Sequence, residues 1–203
     1  MSFGDKKLSE IAVSIPGSTS LLREYDLDFC CGGSDTLANA AAENPEEYWV
    51  NATYPEIIDH ILVRYHQRHR EQLQELIVLA DRVESVHGDR EDCPIGVAAE
   101  LRNVYEDLSN HMMKEEHVLF PMIKAGNYMM AQMPIRMMEM EHAEHGEHLD
   151  VLKSLTNNMT PPADACNTWR ALYSGIQEFA DDLMMHIHRE NNILFPRVIA
   201  ENH

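Results

Sequence analysis

The chain has 203 residues, with 16 Lys and Arg against 34 Asp and Glu, so its formal charge is −18 at an apolar share of 44%. That length fits one medium domain, alone or with a small appendage, and the composition excludes a disordered or membrane-embedded chain. The charge excludes a nucleic-acid backbone or an anionic membrane surface as partner, whereas 12 histidines in an acidic chain suit either cation binding or a solvated acidic face.

No apolar run approaches the roughly 20 residues of a membrane span. The opening MSFGDKKLSEIAVSI has no apolar signal region ending in small residues, so a cytoplasmic protein is expected. The four cysteines, Cys30, Cys31, Cys93 and Cys166, show no CxxC spacing, which argues against a disulfide framework or a structural zinc site. The pattern leaves monomer and homodimer open.

Residues 1 to about 44 contain SIPGSTSLLREYDLDFCCGGS, where Pro16, Gly17, Gly32 and Gly33 cut the chain into short pieces. This reads as a small helical domain with too few residues for a large core. The stretch NPEEYWVNATYP is polar and holds two prolines, so a boundary is expected there, dividing 1–50 from 51–203. Cys30 and Cys31 are adjacent and have no nearby His, so neither a relaxed disulfide nor a metal site is expected. They fit a buried corner or, as the functional alternative, a reactive thiol pair.

From about Tyr54 onward apolar residues recur three and four apart and no strand-like alternation intervenes, which predicts four long helices. Turns are expected at Val86 to Pro94, Ala125 to Asn127 and Thr156 to Asp164. Pro94 behind Asp92 suits the first turn of the second helix, and Pro161 and Pro162 suit the start of the fourth. Pro121 and Pro196 fall late in helices two and four, where they should bend or end them.

The bundle contains a duplication. HMMKEEHVLFP from His111 aligns with HIHRENNILFP from His186, and HQRHREQLQEL from His66 aligns with HAEHGEHLDVL from His142. The paired spacings are 111 − 66 = 45 and 186 − 142 = 44. Helices one and two form one copy, three and four the other.

A helix turns about 100° per residue, so His and Glu four apart share a face. On helix two the stripe of Leu101, Val104, Leu108, Met112, Leu119 and Met122 runs through His111 and Glu115, with Glu116 at its rim and His117 pointing away. On helix four Leu172, Ile176, Phe179, Leu183 and Leu194 bracket His186 and Glu190, leaving His188 outside. Helix one places His66 and His69 with Leu62, Leu73 and Leu76. Helix three places His142 and His145 with Met138, Leu149 and Leu152. His60 and His148 lie off these faces. Burying imidazoles and carboxylates is costly unless they are paired or metal-bound.

In an up-and-down bundle two residues face each other when the turn lies midway between them. The midpoint of His66 and His111 is at Gly88, that of His111 and His142 at Gly126, and that of His142 and His186 at residue 164, just after Pro161 and Pro162. One level of four imidazoles with two carboxylates is the layout of a two-metal site. Imidazole and carboxylate without thiolate suit iron, manganese or zinc, with redox iron the better match. Each Glu can bridge the pair, two His remain per metal, and an oxo or hydroxo bridge has room. His69 and His145 remain open, as ligands, outer hydrogen-bond partners or boundary residues. Met112, Met113, Met129, Met130, Met133, Met137, Met138, Met140, Met184 and Met185 read as adaptable packing rather than a thioether site.

HMMKEE followed by LFP, its HxxxE partner followed by LFP, and a His on each of the other helices resemble the hemerythrin-like bundles. SIPGSTSLLREYDLDFCCGG resembles the small domain that precedes such a bundle in the di-iron proteins that repair iron–sulfur clusters, the RIC or YtfE/ScdA family. The resemblance implies an all-α fold, a hemerythrin-like four-helix bundle preceded by a ScdA-type domain. It implies iron ligands at His66, His111, Glu115, His142, His186 and Glu190, with Glu115 and Glu190 bridging two iron ions, and so decides against His69 and His145. With Glu115 within the stripe, Glu116 at its rim and His117 outside it, changing Glu115 should empty the site, and Glu116 and His117 are expected to be bystanders. Glu141, beside His142 but off the stripe, is a further candidate, as an outer carboxylate governing access.

The implied function is repair of iron–sulfur clusters damaged by nitric oxide or peroxide, with iron supplied from the protein's own centre and damaged iron–sulfur proteins as clients. An alternative is reduction of nitric oxide to nitrous oxide at the two irons, and a third is a nitric oxide or oxygen sensor. Oxygen-carrying hemerythrins have more His ligands and a differently spaced carboxylate on the last helix, so reversible oxygen carriage is not expected. The segment between DFCCGG and the bundle is also shorter than in the repair proteins.

Overall fold

The computed structural model describes residues 6–15, 17–19, 22, 27, 36, 37 and 45–201. Cys30, Cys31 and the DFCCGG motif lie outside the described residues. The chain divides into two compact units, 1–53 and 54–203. In the first, helix α1 (Leu8–Ser14) buries Leu8 and Ile11 with Leu22, and Ala12, Ile15, Leu27 and Leu37 pack around them. Lys7 and Thr36 form an antiparallel bridge, and helix α2 spans Pro45–Asn51.

The second unit is an up-and-down bundle of four helical rods, each in contact with its two neighbours. Rod one joins α3 (Tyr54–His60), a π-helical turn (Ile61–His66) and α4 (Gln67–His87). Rod two joins α5 (Val97–Lys114), a π turn (Glu115–Leu119) and α6 (Phe120–Lys124). Rod three is α7 (Tyr128–Leu155), with Pro134 inside it. Rod four joins α8 (Asn167–Arg189), a π turn (Glu190–Leu194) and α9 (Phe195–Ala200). Among the described residues no helix is long and apolar enough to cross a membrane.

The stripes read from periodicity are largely the buried ones. Leu101, Val104, Leu108, Met112, Leu172, Ile176, Phe179, Leu183, Leu73, Leu76, Leu149 and Leu152 are all buried. Gly175 lets rods one and four approach closely, since a Cβ there would meet Leu76 Cδ2 at 2.7 Å.

Several expectations are corrected. Pro121 and Pro196 do not end their helices. The N–H of Phe120 reaches back five residues to the carbonyl of Glu115, and that of Phe195 to Glu190, so the chain enters each proline from a widened turn and continues. A proline in a regular α-turn meets the carbonyl four residues back, and the π turn is where that constraint is relieved. The extra residue also shifts the buried face by one position: Ile123 is buried while Met122 is half-buried, and Ile61 is buried while Leu62 is half-buried.

The second helix does not begin at Pro94. Asp92 is held by Arg90, 2.8 Å on each carboxylate oxygen, and is not free to cap. Glu84 of rod one supplies the cap instead, accepting from the N–H groups of Gly96 (3.2 Å) and Ala98 (2.8 Å), with Gly96 at φ +102°. Pro161 and Pro162 likewise precede the fourth helix, which starts at Asn167 after a loop where Asn157, Asn158 and Met159 have positive φ. The methionines are not mainly packing either. Met112 and Met138 are buried, but Met113, Met129, Met130, Met133, Met137, Met140 and Met184 are exposed on the outer faces of rods two, three and four.

Candidate metal centre

His66, His111, Glu115, His142, His186 and Glu190 are each at most 5% exposed, and all six meet at one level of the bundle. Their donor atoms form two groups, each within 4.8 Å: His66, Glu115, His186 and Glu190, and His111, Glu115, His142 and Glu190. Both carboxylates belong to both groups. Glu115 Oε2 lies 3.3 Å from His66 Nε2 and its Oε1 3.4 Å from His111 Nε2. Glu190 Oε2 lies 3.1 Å from His142 Nε2 and its Oε1 3.4 Å from His186 Nε2.

The π turns of rods two and four begin at these two glutamates. A carboxylate that opens a widened turn stands at the point where the rod's phase changes, and such turns recur at functional sites. All four carboxylate oxygens are buried without a hydrogen-bond partner, as is Nε2 of His66 and of His186. Left so, each group would carry the full cost of its desolvation. Nε2 of His111 and Nε2 of His142 are 3.1 Å apart. Two nitrogens at about 2.1 Å from one ion and at right angles would be about 3 Å apart, so the spacing fits a cation.

The hemerythrin HHE cation binding domain matches residues 57–198, and the ScdA_N family, a domain of unknown function, matches 4–46. A "Probable iron-sulfur cluster repair protein" of Haemophilus influenzae is 62% identical over 222 residues, covering 99% of this chain and all of the relative. The iron-sulfur cluster repair proteins YtfE of Musicola paradisiaca and Citrobacter koseri are 52% and 53% identical over 218 residues, covering 98% of this chain and 98% and 99% of theirs. The chain belongs to the hemerythrin-type iron–sulfur cluster repair family. The alignment with the Haemophilus family member exceeds this chain's 203 residues by 19, so at least that many positions have no counterpart here.

In this member of the repair family the outer contacts differ from expectation. Glu116 is not clear of the site: His66 Nδ1 donates to Glu116 Oε1 at 2.8 Å, and Arg70 donates to the same oxygen at 2.7 Å. Glu141, which the stripe placed off the site, accepts from His111 Nδ1 at 2.9 Å and is paired with Lys114. His142 Nδ1 donates to Asn191 Oδ1 at 2.8 Å. The duplication carries this pattern too, because Glu116 follows Glu115 as Asn191 follows Glu190, and each reaches the His of the preceding rod. His186 instead lies flat against Tyr65, with ring centroids 5.2 Å apart. A hydrogen bond at Nδ1 fixes the tautomer and turns the Nε2 lone pair toward the centre. His117 is exposed, and His188 accepts from Asn192 outside the centre, as the sequence suggested.

The charges follow from this geometry. Burial works against an imidazolium at His111, but Glu115, Glu190 and the hydrogen bond to Glu141 overcome it and raise its pKa to about 9. Burial opposes the charge on His66 as well, yet Glu115 and Glu116 raise it. His186, desolvated and facing His66, is pushed well below the usual histidine range. Burial disfavours the charged form of Glu115 and Glu190, and the facing histidines nevertheless hold both below the ordinary carboxylate value. The hydrogen bond from His66 draws Glu116 down to about 2.

These outer carboxylates carry a prediction that separates Glu116 from its neighbour. Glu116→Gln should weaken metal binding about 10- to 100-fold, the usual loss when such a partner of a metal-bound His is removed. His117→Gln should leave it unchanged. Competition with a chelator over a series of concentrations measures both, and equal affinities would return Glu116 to the role of bystander.

Proposed function

We propose that the centre holds two iron ions, one on His66 and His186 and the other on His111 and His142, with Glu115 and Glu190 shared and an oxo or hydroxo bridge between them. We infer that the protein acts in the cytoplasm on damaged iron–sulfur proteins and supplies iron to rebuild their clusters. The observation that carries this reading is that both buried carboxylates belong to both donor groups. Of the charge on a pair of divalent ions the protein itself neutralises only half, with two carboxylates and four neutral imidazoles, and leaves the rest to the exchangeable bridge, a looser hold than a set richer in Glu gives.

Bound there, ferrous iron would be exchangeable iron stored away from solvent. The chain's own part is to orient and to withhold water. Glu116, Glu141 and Asn191 aim the imidazoles, while Phe120 and Phe195 stack on His66 and His142 at 5.7 and 6.0 Å between ring centroids. The name shared by the repair proteins of Haemophilus, Musicola and Citrobacter supports the same reading.

The test is transfer. The reduced, iron-loaded protein is mixed anaerobically with an apo-cluster acceptor, and iron in the acceptor and recovery of the acceptor's own activity are followed. Iron should move and activity should return. Retention of both irons against the acceptor and against a chelator would overturn the reading.

Shared carboxylates would hold two ions side by side, which favours a second reading, coupling of two nitric oxide molecules to nitrous oxide. Headspace nitrous oxide measured over several turnovers of the reduced protein separates it from iron supply.

A further inference from the structure

Around the four site imidazoles the structure keeps one more that is prepared like a ligand. His69 is fully buried, and its Nε2 has no hydrogen-bond partner. Its Nδ1 lies 3.4 Å from Gln72 Oε1. The Gln72 amide is oriented from its other end, since its Nε2 donates to Asp182 Oδ2 at 2.8 Å, and Asp182 Oδ1 accepts from Arg64 at 2.7 Å. Gln72 therefore turns its oxygen to His69, the proton sits on Nδ1, and Nε2 presents a bare lone pair. Glu116, Glu141 and Asn191 hold Nδ1 of His66, His111 and His142 in the same way, at 2.8, 2.9 and 2.8 Å.

The ring itself lies against one half of the centre. The His69 ring is 5.3 Å from that of His186, between centroids, and 5.5 Å from Phe179. The two pairs proposed to share an ion have similar separations, 5.0 Å for His66 and His186 and 4.8 Å for His111 and His142. His145 is as near to His111, at 4.8 Å, with its Nε2 also buried and unpartnered, so what sets His69 apart is the hold on its Nδ1 and not its distance. Height agrees. Rods one and two run in opposite senses, so Glu115 lies on one side of the imidazole level and His69, a turn of about 4.5 Å further along rod one, lies on the other. His69 thus faces the side that the carboxylates leave open.

The second copy has lost this device. His148 stands where Gln72 does, six residues after the site histidine, and Asp107 stands where Asp182 does, four residues before one. Both ring nitrogens of His148 are engaged, Nδ1 by Glu100 at 2.6 Å and Nε2 by Asp107 at 3.0 Å. An imidazole so committed cannot do for His145 what the Gln72 amide does for His69.

We propose that His69 is a fifth imidazole of the centre, an auxiliary ligand to the ion on His66 and His186, so that the ion on His111 and His142 is the one given up first. This rests on the two-ion reading above. The His69 nitrogen is not among the donors that already lie within 4.8 Å of one another, so ligation draws the ring inward by a side-chain rotation.

The test uses the full chain loaded with ferrous iron and challenged anaerobically with excess ferrous chelator. Release should occur in two phases of one equivalent each, differing about tenfold or more in rate. His69→Gln should merge them into one fast phase. Gln72→Leu keeps the imidazole but frees its Nδ1, and should speed the slow phase alone. It decides the matter if His69→Gln does not fold. Mössbauer spectra of the iron-57 protein should show two components of equal area, of which His69→Gln shifts one. Two equivalents released in a single phase, or two phases indifferent to both substitutions, would overturn the proposal and leave the two-ion reading standing. Uptake of fewer than two equivalents would overturn both.

Discussion

Replacement of Glu115 by Ala should leave a folded protein that retains neither ion. The carboxylate faces His66 on one side at 3.3 Å and His111 on the other at 3.4 Å, so its loss removes a donor from both groups at once. It also removes half of the negative charge in the buried centre. The remaining set in each half, two imidazoles and one oxygen of Glu190, is short of both charge and ligands. Metal-free protein should itself lose some stability, because removing one partner of a buried pair leaves His66 and His111 with less counter-charge, so each protein is compared with its own metal-free form. The difference therefore appears in metal-linked stability. With free metal at about a thousand times the dissociation constant, binding stabilises a fold by about 4 kcal/mol, and the variant should lose that increment entirely. Metal analysis after gel filtration and melting curves with and without ferrous iron measure the two effects. Glu190→Ala should behave alike, by the duplication. Two retained ions in either variant would remove these carboxylates from the ligand set.

The duplication is what makes the centre legible in the sequence. His and Glu four apart, set into an apolar stripe twice over, leave few arrangements that do not bring them together. Gly88 and Gly126 also stand where the rods reverse, Gly126 with φ +74°. What periodicity misses lies between rods. Glu116 sits at the rim of its own stripe, and only the approach of rod one places His66 and Arg70 against it. Glu141 pairs across to rod two in the same way. A helical wheel orders residues on one helix and is silent about which rim residues a neighbour covers.

The prolines mislead for a related reason. Pro121 and Pro196 are signals for a break only if every turn is α. Here each follows a π turn that opens at a site glutamate, and the one-residue change of phase moves burial from Met122 to Ile123. The repeated LFP motif is the trace of that turn in the sequence. The exposed methionines differ from expectation because an apolar residue type at helical spacing does not by itself secure burial. Met129, Met133, Met137 and Met140 follow the spacing of rod three on its outer face.

Metal-free and metal-loaded protein should respond to pH in opposite senses. Without metal, His111 holds its proton up to about pH 9, and His66 is raised as well, because Glu115 and Glu190 face cations of the protein's own making. A histidine whose folded pKa lies above the ordinary value near 6.5 stabilises the fold fully below pH 6.5 and loses that contribution as pH rises through the folded pKa. The metal-free protein should thus grow less stable between pH 6.5 and 9. Glu115 and Glu190, held below the ordinary carboxylate pKa, contribute above about pH 4.5 and lose their contribution as pH falls through their folded values. Metal reverses the trend at the upper end. An ion on His66 or His111 must displace its proton, so affinity should rise about tenfold per pH unit for each proton released, until the folded pKa is passed. Mild acid then favours the protonated, metal-free centre and release of iron, while alkaline conditions favour loading. Titration calorimetry in two buffers of different ionisation enthalpy counts the protons, and melting of chelator-treated protein at pH 6, 7.5 and 9 gives the other limb. Metal uptake without proton release, or metal-free stability that climbs from pH 6.5 to 9, would show that His66 and His111 are neutral before metal arrives, and would leave the two buried glutamates without their counter-ions.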